Sequence, residues 1–263
     1  MLTQGKIYKI FKAFCGGLWY HHGMSNRAED NTFKKGILDG IPICLGYFSV
    51  AFAFGIFAVA NGLTAGEAVL ISMTNVTSAG QLAAVPIMVS GGTLFELASA
   101  QLVINLRYAL MSISLSQRLD GSVRLRDRLL IAFVNTDEVF AVASSQQAVG
   151  RSYMWGLMLT PYLGWSAGTA VGALAGSILP PLVISALGVA IYGMFIAIVV
   201  PAARADKHVL FCVAVAVVLS CLFRFVPPLS AVPSGFVIII CAVAASALAA
   251  LLFPVKPEGE VPS

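Results

Sequence analysis

Long apolar stretches alternate with short polar connections along the whole chain. They run 37–60, 66–89, 94–116, 129–149, 153–175, 182–200, 208–225 and 234–253. Each is close to the roughly 20 residues with which a helix rising 1.5 Å per residue crosses the hydrocarbon of a bilayer. The runs are continuous and do not alternate with period two, which predicts helices and argues against a β-barrel. Composition agrees: 59% of the 263 residues are apolar and 11% charged, and the mean hydropathy is +0.89. The reading is an all-α polytopic membrane protein with about six full transmembrane helices and two re-entrant or broken helices. Residues 1–32 form a preface outside it, 33–254 a single transmembrane transporter domain, and 255–263 a disordered tail. In the preface Lys6, Lys9 and Lys12 alternate with Ile7, Ile10 and Phe11. That pattern suits an interfacial helix, or else Met24 is the true start.

The stretch 66–89 is interrupted. Its middle reads Thr74-Asn75-Val76-Thr77-Ser78-Ala79-Gly80-Gln81, almost all small or polar side chains. Such a break survives in a membrane only where protein or a cavity covers it, so a re-entrant or discontinuous helix is expected. Charge supports this. If every stretch crossed with the N-terminus inside, the turn 117–128, with Arg118, Arg124, Arg126 and Arg128, would lie outside, against the positive-inside rule. If 66–89 and 182–200 both dip and return, that turn falls inside, and only Arg151 and Arg224 are left toward the outside. A shift of 113 residues pairs Ser72 with Ser185, Val76 with Val189, Gly80 with Gly193 and Ala84 with Ala197. Under this topology the two halves would form an inverted repeat. Gly164, Gly168, Gly172 and Gly176 make a four-residue stripe that reads as a close helix seam, internal or toward another subunit.

Ionisable residues sit where a bilayer tolerates them least. Arg107 lies ten residues before Gln117, and Glu138 ten after Arg128. Both are therefore roughly 15 Å deep, level with each other on the two arms of a hairpin. A charge there costs roughly 2.5–3.5 kcal/mol on insertion scales. Arg107 with Asp137 or Glu138 is either a structural ion pair or a working site. In the working site the guanidinium holds a carboxylate, and one of the two acids, left without a cation, carries a proton. Asn75, Ser78, Gly80, Gln81, Asn105 and Tyr108 are the neutral hydrogen-bonding groups beside them. Gln81 and Asn105 are equally suited to holding a zwitterion and to gluing helices together.

Other chemistries find no residues. The cysteines Cys15, Cys44, Cys212, Cys221 and Cys241 form no C-x-x-C pair, and His21, His22 and His208 have no metal-ligand neighbourhood. No metal or cofactor is expected. There is no phosphate-binding loop of the Walker type and no histidine near a membrane-embedded serine, so an enzyme is not expected. The net charge of +4 comes from basic residues flanking apolar spans, which points to the bilayer and not to nucleic acid. A carrier is favoured over a channel-like facilitator of a small solute by the mid-depth charges.

Four pieces in order carry a family resemblance: Gly40-Ile41-Pro42 with Gly46 and Phe54-Gly55; Ser78-Ala79-Gly80-Gln81; Asn105-Leu106-Arg107-Tyr108; and Thr136-Asp137-Glu138. Together, from about Lys34 to Phe253, the chain resembles the AzlC family, the large permease subunit of two-component branched-chain amino-acid exporters in bacteria. The resemblance implies efflux of valine, leucine or isoleucine, in some members methionine, across the inner membrane. It also implies a small hydrophobic membrane partner of the AzlD type. The site expected from polarity and depth comprises Asn75, Ser78, Gly80, Gln81, Asn105, Arg107 and Tyr108 for substrate, with Asp137 and Glu138 for proton coupling.

Overall fold

The computed structural model describes residues 32–176 and 199–253, with 178–180 and the single positions 182, 193 and 196. Most of the expected dip at 182–200, nearly all of the preface and the tail lie outside the described residues. Nine helices have both ends among the described residues: α1 Phe33–Ala60, α2 Ala65–Thr74, α3 Ser78–Val89, α4 Leu94–Ser116, α5 Leu125–Val134, α6 Asp137–Ser145, α7 Arg151–Gly176, α8 Lys207–Phe225 and α9 Ser234–Leu252. No strand occurs among the described residues. The protein is an all-α membrane protein. Helices α1, α8 and α9 are long and apolar enough to cross a bilayer, and α4 and α7, at 23 and 26 residues, have the length.

The described residues divide into two compact units. The larger comprises 32–81 and 105–182, and its axis is the pair α1 and α7. Thr32 caps α1, accepting a hydrogen bond from the Lys35 N–H at 3.2 Å. A Cβ placed on Gly36 or Gly156 would strike the backbone of the other helix, at Tyr153 and Phe33 respectively. One on Gly164 would meet Cys44 Sγ at 2.6 Å, and one on Gly176 would meet Ile56 Cα at 3.3 Å. Gly168 and Gly172 face the Phe48 and Phe52 carbonyls in the same way. Residue n of α1 thus faces residue n + 120 of α7 from one end to the other, so the two helices run parallel. Lipid tails are as apolar as leucine, so burial inside a bilayer yields little hydrophobic gain. Helices associate there by close van der Waals contact, and glycine supplies it. The glycine stripe is therefore an internal seam.

Two short-helix hairpins begin in this unit, the first passing at Gln81 into the smaller one. Helix α2 starts beyond α1 with a capping box, the Thr64 N–H donating to Glu67 at 2.7 Å and the Glu67 N–H to Thr64 Oγ1 at 3.2 Å. It runs along α7 until Met73 O accepts the Tyr162 hydroxyl at 3.0 Å. The helix ends at Asn75, whose N–H still bonds Ile71 O, and the chain doubles back. Gln81, in the first turn of α3, donates to Ser72 at 2.9 Å. This is the break expected at 74–81.

The second hairpin corrects the expectation that 129–149 crosses the membrane. Helix α5 stops at Asn135, α6 starts at Asp137, and the chain returns to the level at which it entered. There Val149 N–H donates to Arg118 O at 2.9 Å and Asp120 N–H to Val149 O at 3.1 Å. The Arg151 N–H donates to Ser122 Oγ at 2.9 Å. Asparagine and threonine side chains compete with the helical ladder for backbone groups, which lets a ten-residue helix end inside an apolar run. Arg151 therefore lies beside the arginine turn, not on the other side from it. The parallel α1 and α7 likewise overturn the opposite entry assigned to these two spans. The two hairpins begin, at α2 and α5, from opposite ends of this unit.

The smaller unit holds 82–104 and the described part of the C-terminal region. In it α8 and α9 pack as a pair, with His208 and Phe211 rings 4.4 and 5.4 Å from that of Phe253. Glu96 is buried, 4% exposed, and its Oε1 accepts the Gly235 N–H at 2.8 Å in the first turn of α9. An acceptor there satisfies a donor left over by the helix start.

Candidate functional site

The tips of the two hairpins lie at mid-height in the larger unit. Val76 from the first tip and Val134 and Val139 from the second share one apolar cluster with Tyr47 and Trp165, near the midpoints of α1 and α7. Both tips are built alike. An asparagine ends the entering helix, Asn75 and Asn135, and a threonine precedes the returning one. Thr77 and Thr136 are 4% and 5% exposed, and Asn135 is 2% exposed.

Beside the tips lie the charges. Helix α4 carries Arg107, whose Nη1 is 2.6 Å from Asp137 Oδ2. Its guanidinium lies 5.0 Å from the Tyr108 ring centre, with Nη2 donating to the Tyr108 hydroxyl at 3.3 Å. Glu138 turns away to α1, where it accepts a hydrogen bond from the Tyr47 hydroxyl. The Tyr47 ring meets Trp165 edge-on, centres 5.2 Å apart. The two adjacent acids thus have different partners, a cation for one and a phenol for the other. Both sit in the first turn of α6, where the helix dipole favours negative charge.

The expected residues separate into groups. Arg107, Tyr108, Asp137 and Glu138 come together as expected. Asn75 caps α2, and Ser78 and Gly80 lie in the first turn of α3. Gln81 is fully buried and tied through Ser72 to Thr169, whose hydroxyl lies 2.6 Å from that of Ser72. This chain holds the first break against α7. Asn105 is half-buried on α4. Buried polar atoms without hydrogen-bond partners remain near the tips: Gln81 Oε1, Asn135 Oδ1 and Trp165 Nε1. Asn135 Nδ2 itself donates to Ser112 Oγ at 3.2 Å. Sequence reasoning missed Tyr47 as the partner of Glu138 and Trp165 as the ring packed against that tyrosine. The one signal was a tyrosine in the middle of a glycine-rich span.

A second polar group closes the basic end of this unit. Asp127, 3% exposed, receives Arg151 Nε at 2.9 Å, Trp155 Nε1 at 3.2 Å and the Arg124 N–H at 3.0 Å. Arg118 Nη1 donates to Gln146 O at 3.1 Å, and Lys35 Nζ lies 2.5 Å from Asp39. Lys34, Lys35, the four arginines of the turn and Arg151 all gather at this end.

A family model described as AzlC protein matches residues 42–179, a stretch that holds both hairpin tips and most of the glycine seam. An uncharacterized membrane protein of Archaeoglobus fulgidus is 35% identical over 188 residues, 71% of this chain and 82% of that one. Inner membrane protein YgaZ of Escherichia coli is 31% identical over 172 residues, 62% of this chain and 70% of that one. No solved structure matches. With a matched stretch that contains both breaks, three of the four motifs and part of the first, the chain belongs to the AzlC family of membrane proteins.

Proposed function

We propose that the protein is a multi-pass secondary transporter of the inner membrane that exports branched-chain amino acids. Valine, leucine and isoleucine are the substrates, with methionine as a further one. Protons drive it, it acts with a small hydrophobic subunit of the AzlD type, and it is not an enzyme. One observation carries the reading: Arg107 and an acid pair meet at mid-height beside two broken helices. Broken helices in transporters present free N–H groups and carbonyls to a substrate. A guanidinium binds a carboxylate through two parallel hydrogen bonds. The first turn of α3, at Ser78 and Gly80, with Asn75, Asn105 and Tyr108, supplies neutral donors and acceptors for the rest of the zwitterion. The apolar cluster around Val76, Val134 and Val139 suits an aliphatic side chain.

The test is transport by vesicles containing the protein and its partner, preloaded with labelled leucine. An inward proton gradient is expected to drive leucine out against its gradient, and a protonophore to stop it. Uphill export that ignores the protonophore would remove proton coupling, and movement that is only ever downhill would make the protein a facilitator. In cells fed leucine dipeptides, deletion of the gene is expected to raise intracellular leucine.

A further inference from the structure

We infer that Glu138 alone is the proton-carrying acid and that Tyr47 is its positioning residue, while Asp137 is the resident counter-ion that substrate displaces from Arg107. The inference rests on the transport reading and divides the labour within that site. Geometry makes the division. Asp137 is spent on the guanidinium at 2.6 Å. Glu138 accepts from the Tyr47 hydroxyl, on a helix held rigidly to α7 by the seam. The charged and titratable groups facing Glu138 are Tyr47 from α1, Arg107 from α4 and its neighbour Asp137. From α7 comes the uncharged Trp165, through its edge contact with Tyr47.

A phenol hydroxyl is donor and acceptor at once. With Glu138 ionised, Tyr47 donates to it. With a proton on Glu138, the acid donates and the Tyr47 oxygen accepts. The pair therefore keeps Glu138 in place through both halves of a proton cycle, which an arginine partner could not do, having no acceptor. An arriving carboxylate competes with Asp137 for Arg107, so substrate occupancy changes the charge beside Glu138. That change links the substrate to the proton.

Trp165 supplies a readout that needs no substrate. With Trp19 and Trp155 changed to phenylalanine, Trp165 is the only tryptophan of the three in the chain, and its emission reports the Tyr47 contact. The emission of the detergent-purified protein is expected to titrate with pH. Glu138→Gln should abolish the titration, and Asp137→Asn should retain it. Tyr47→Phe should displace its midpoint upward by about one pH unit, because a donor to the ionised acid is lost. In vesicles, Asp137→Asn should lower the KM for leucine several-fold, and Tyr47→Phe should shift the pH profile with little change in KM. Size-exclusion profiles confirm that each variant is folded. A titration that survives Glu138→Gln, or a midpoint that ignores Tyr47→Phe, overturns the inference even if leucine export holds. A titration that behaves as stated in a protein that moves no leucine supports the division of the acids and overturns the transport reading instead.

Discussion

Arg107 is where a conservative substitution should be least conservative. Lysine keeps the charge near Asp137 but presents a point charge in place of a planar fork, so two parallel bonds to a carboxylate are lost. Hydrogen bonds to charged groups contribute about 1.5–3 kcal/mol, so Arg107→Lys is expected to cut export about tenfold or more. Membrane-inserted protein should be unchanged, and export normalised to that level checks it. Full export by a double variant, Arg107→Gln with Asp137→Asn, would leave the pair a structural lock. Asp127 makes the matching argument for stability. Burial pushes its carboxyl up, but the Arg124 N–H, the Arg151 guanidinium and the Trp155 indole outweigh that and hold it below the usual 3.8. An acid held low in the folded state contributes stability above its unfolded value, and that stability is lost as pH falls through the folded one. Melting in detergent is expected to lose this contribution only below about pH 4. Asp127→Asn should melt lower at neutral pH and lack that step.

At the scale of elements, the seam and the breaks behave differently from ordinary membrane helices. A Cβ at Gly172 would meet the Phe52 carbonyl, whereas one at Gly46 meets nothing within 4 Å. Gly172→Ala should destabilise by roughly 1–3 kcal/mol, the usual cost of overpacking, and Gly46→Ala should be near neutral. Melting temperatures of the two variants compare them directly. The seam and the first break were legible because each leaves a local mark, glycine every fourth residue and a run of small polar residues around Asn75. The second break was not. Asn135-Thr136-Asp137-Glu138 interrupt an apolar run of spanning length, but the two acids read there as mid-depth charges on a helix that continues, whereas they open a new helix whose dipole favours them. Nor could the Tyr47–Glu138 bond be read, because its partners lie 91 residues apart and no pattern in the sequence ties one to the other. Arg107 and the acids were placed level by counting from the turn. The count held because α5 really does descend about ten residues, though the chain then turns back and does not cross.

Over the whole molecule, these corrections change which loops share a side. Ser122 and Arg151 touch, so the turn and the start of α7 belong to one surface, together with Lys34 and Lys35. In the larger unit, Glu67 is the only charged residue of the linker and first turn that follow α1, at the opposite end. Basic residues flanking spans face the cytoplasm, so that whole end is expected inside. Cysteines introduced at Ser122 and Ser152 in a cysteine-free background should both resist an impermeant thiol reagent in intact cells and react in inverted vesicles. One at Leu63 should do the reverse. Opposite labelling of Ser122→Cys and Ser152→Cys would restore the full crossing that the fold rejects.

The fixed offset of 120 residues between α1 and α7 makes these two helices work like the halves of a zip. Shortening one by four residues leaves every later tooth opposite the wrong gap, with Phe52 no longer over Gly172. Shortening both by four residues at matching places, 49–52 and 169–172, removes one tooth and realigns the rest. Length changes along this axis should therefore be tolerated only in pairs. A homologue fitted to a thicker or thinner membrane is expected to have gained or lost the same number of residues in both helices.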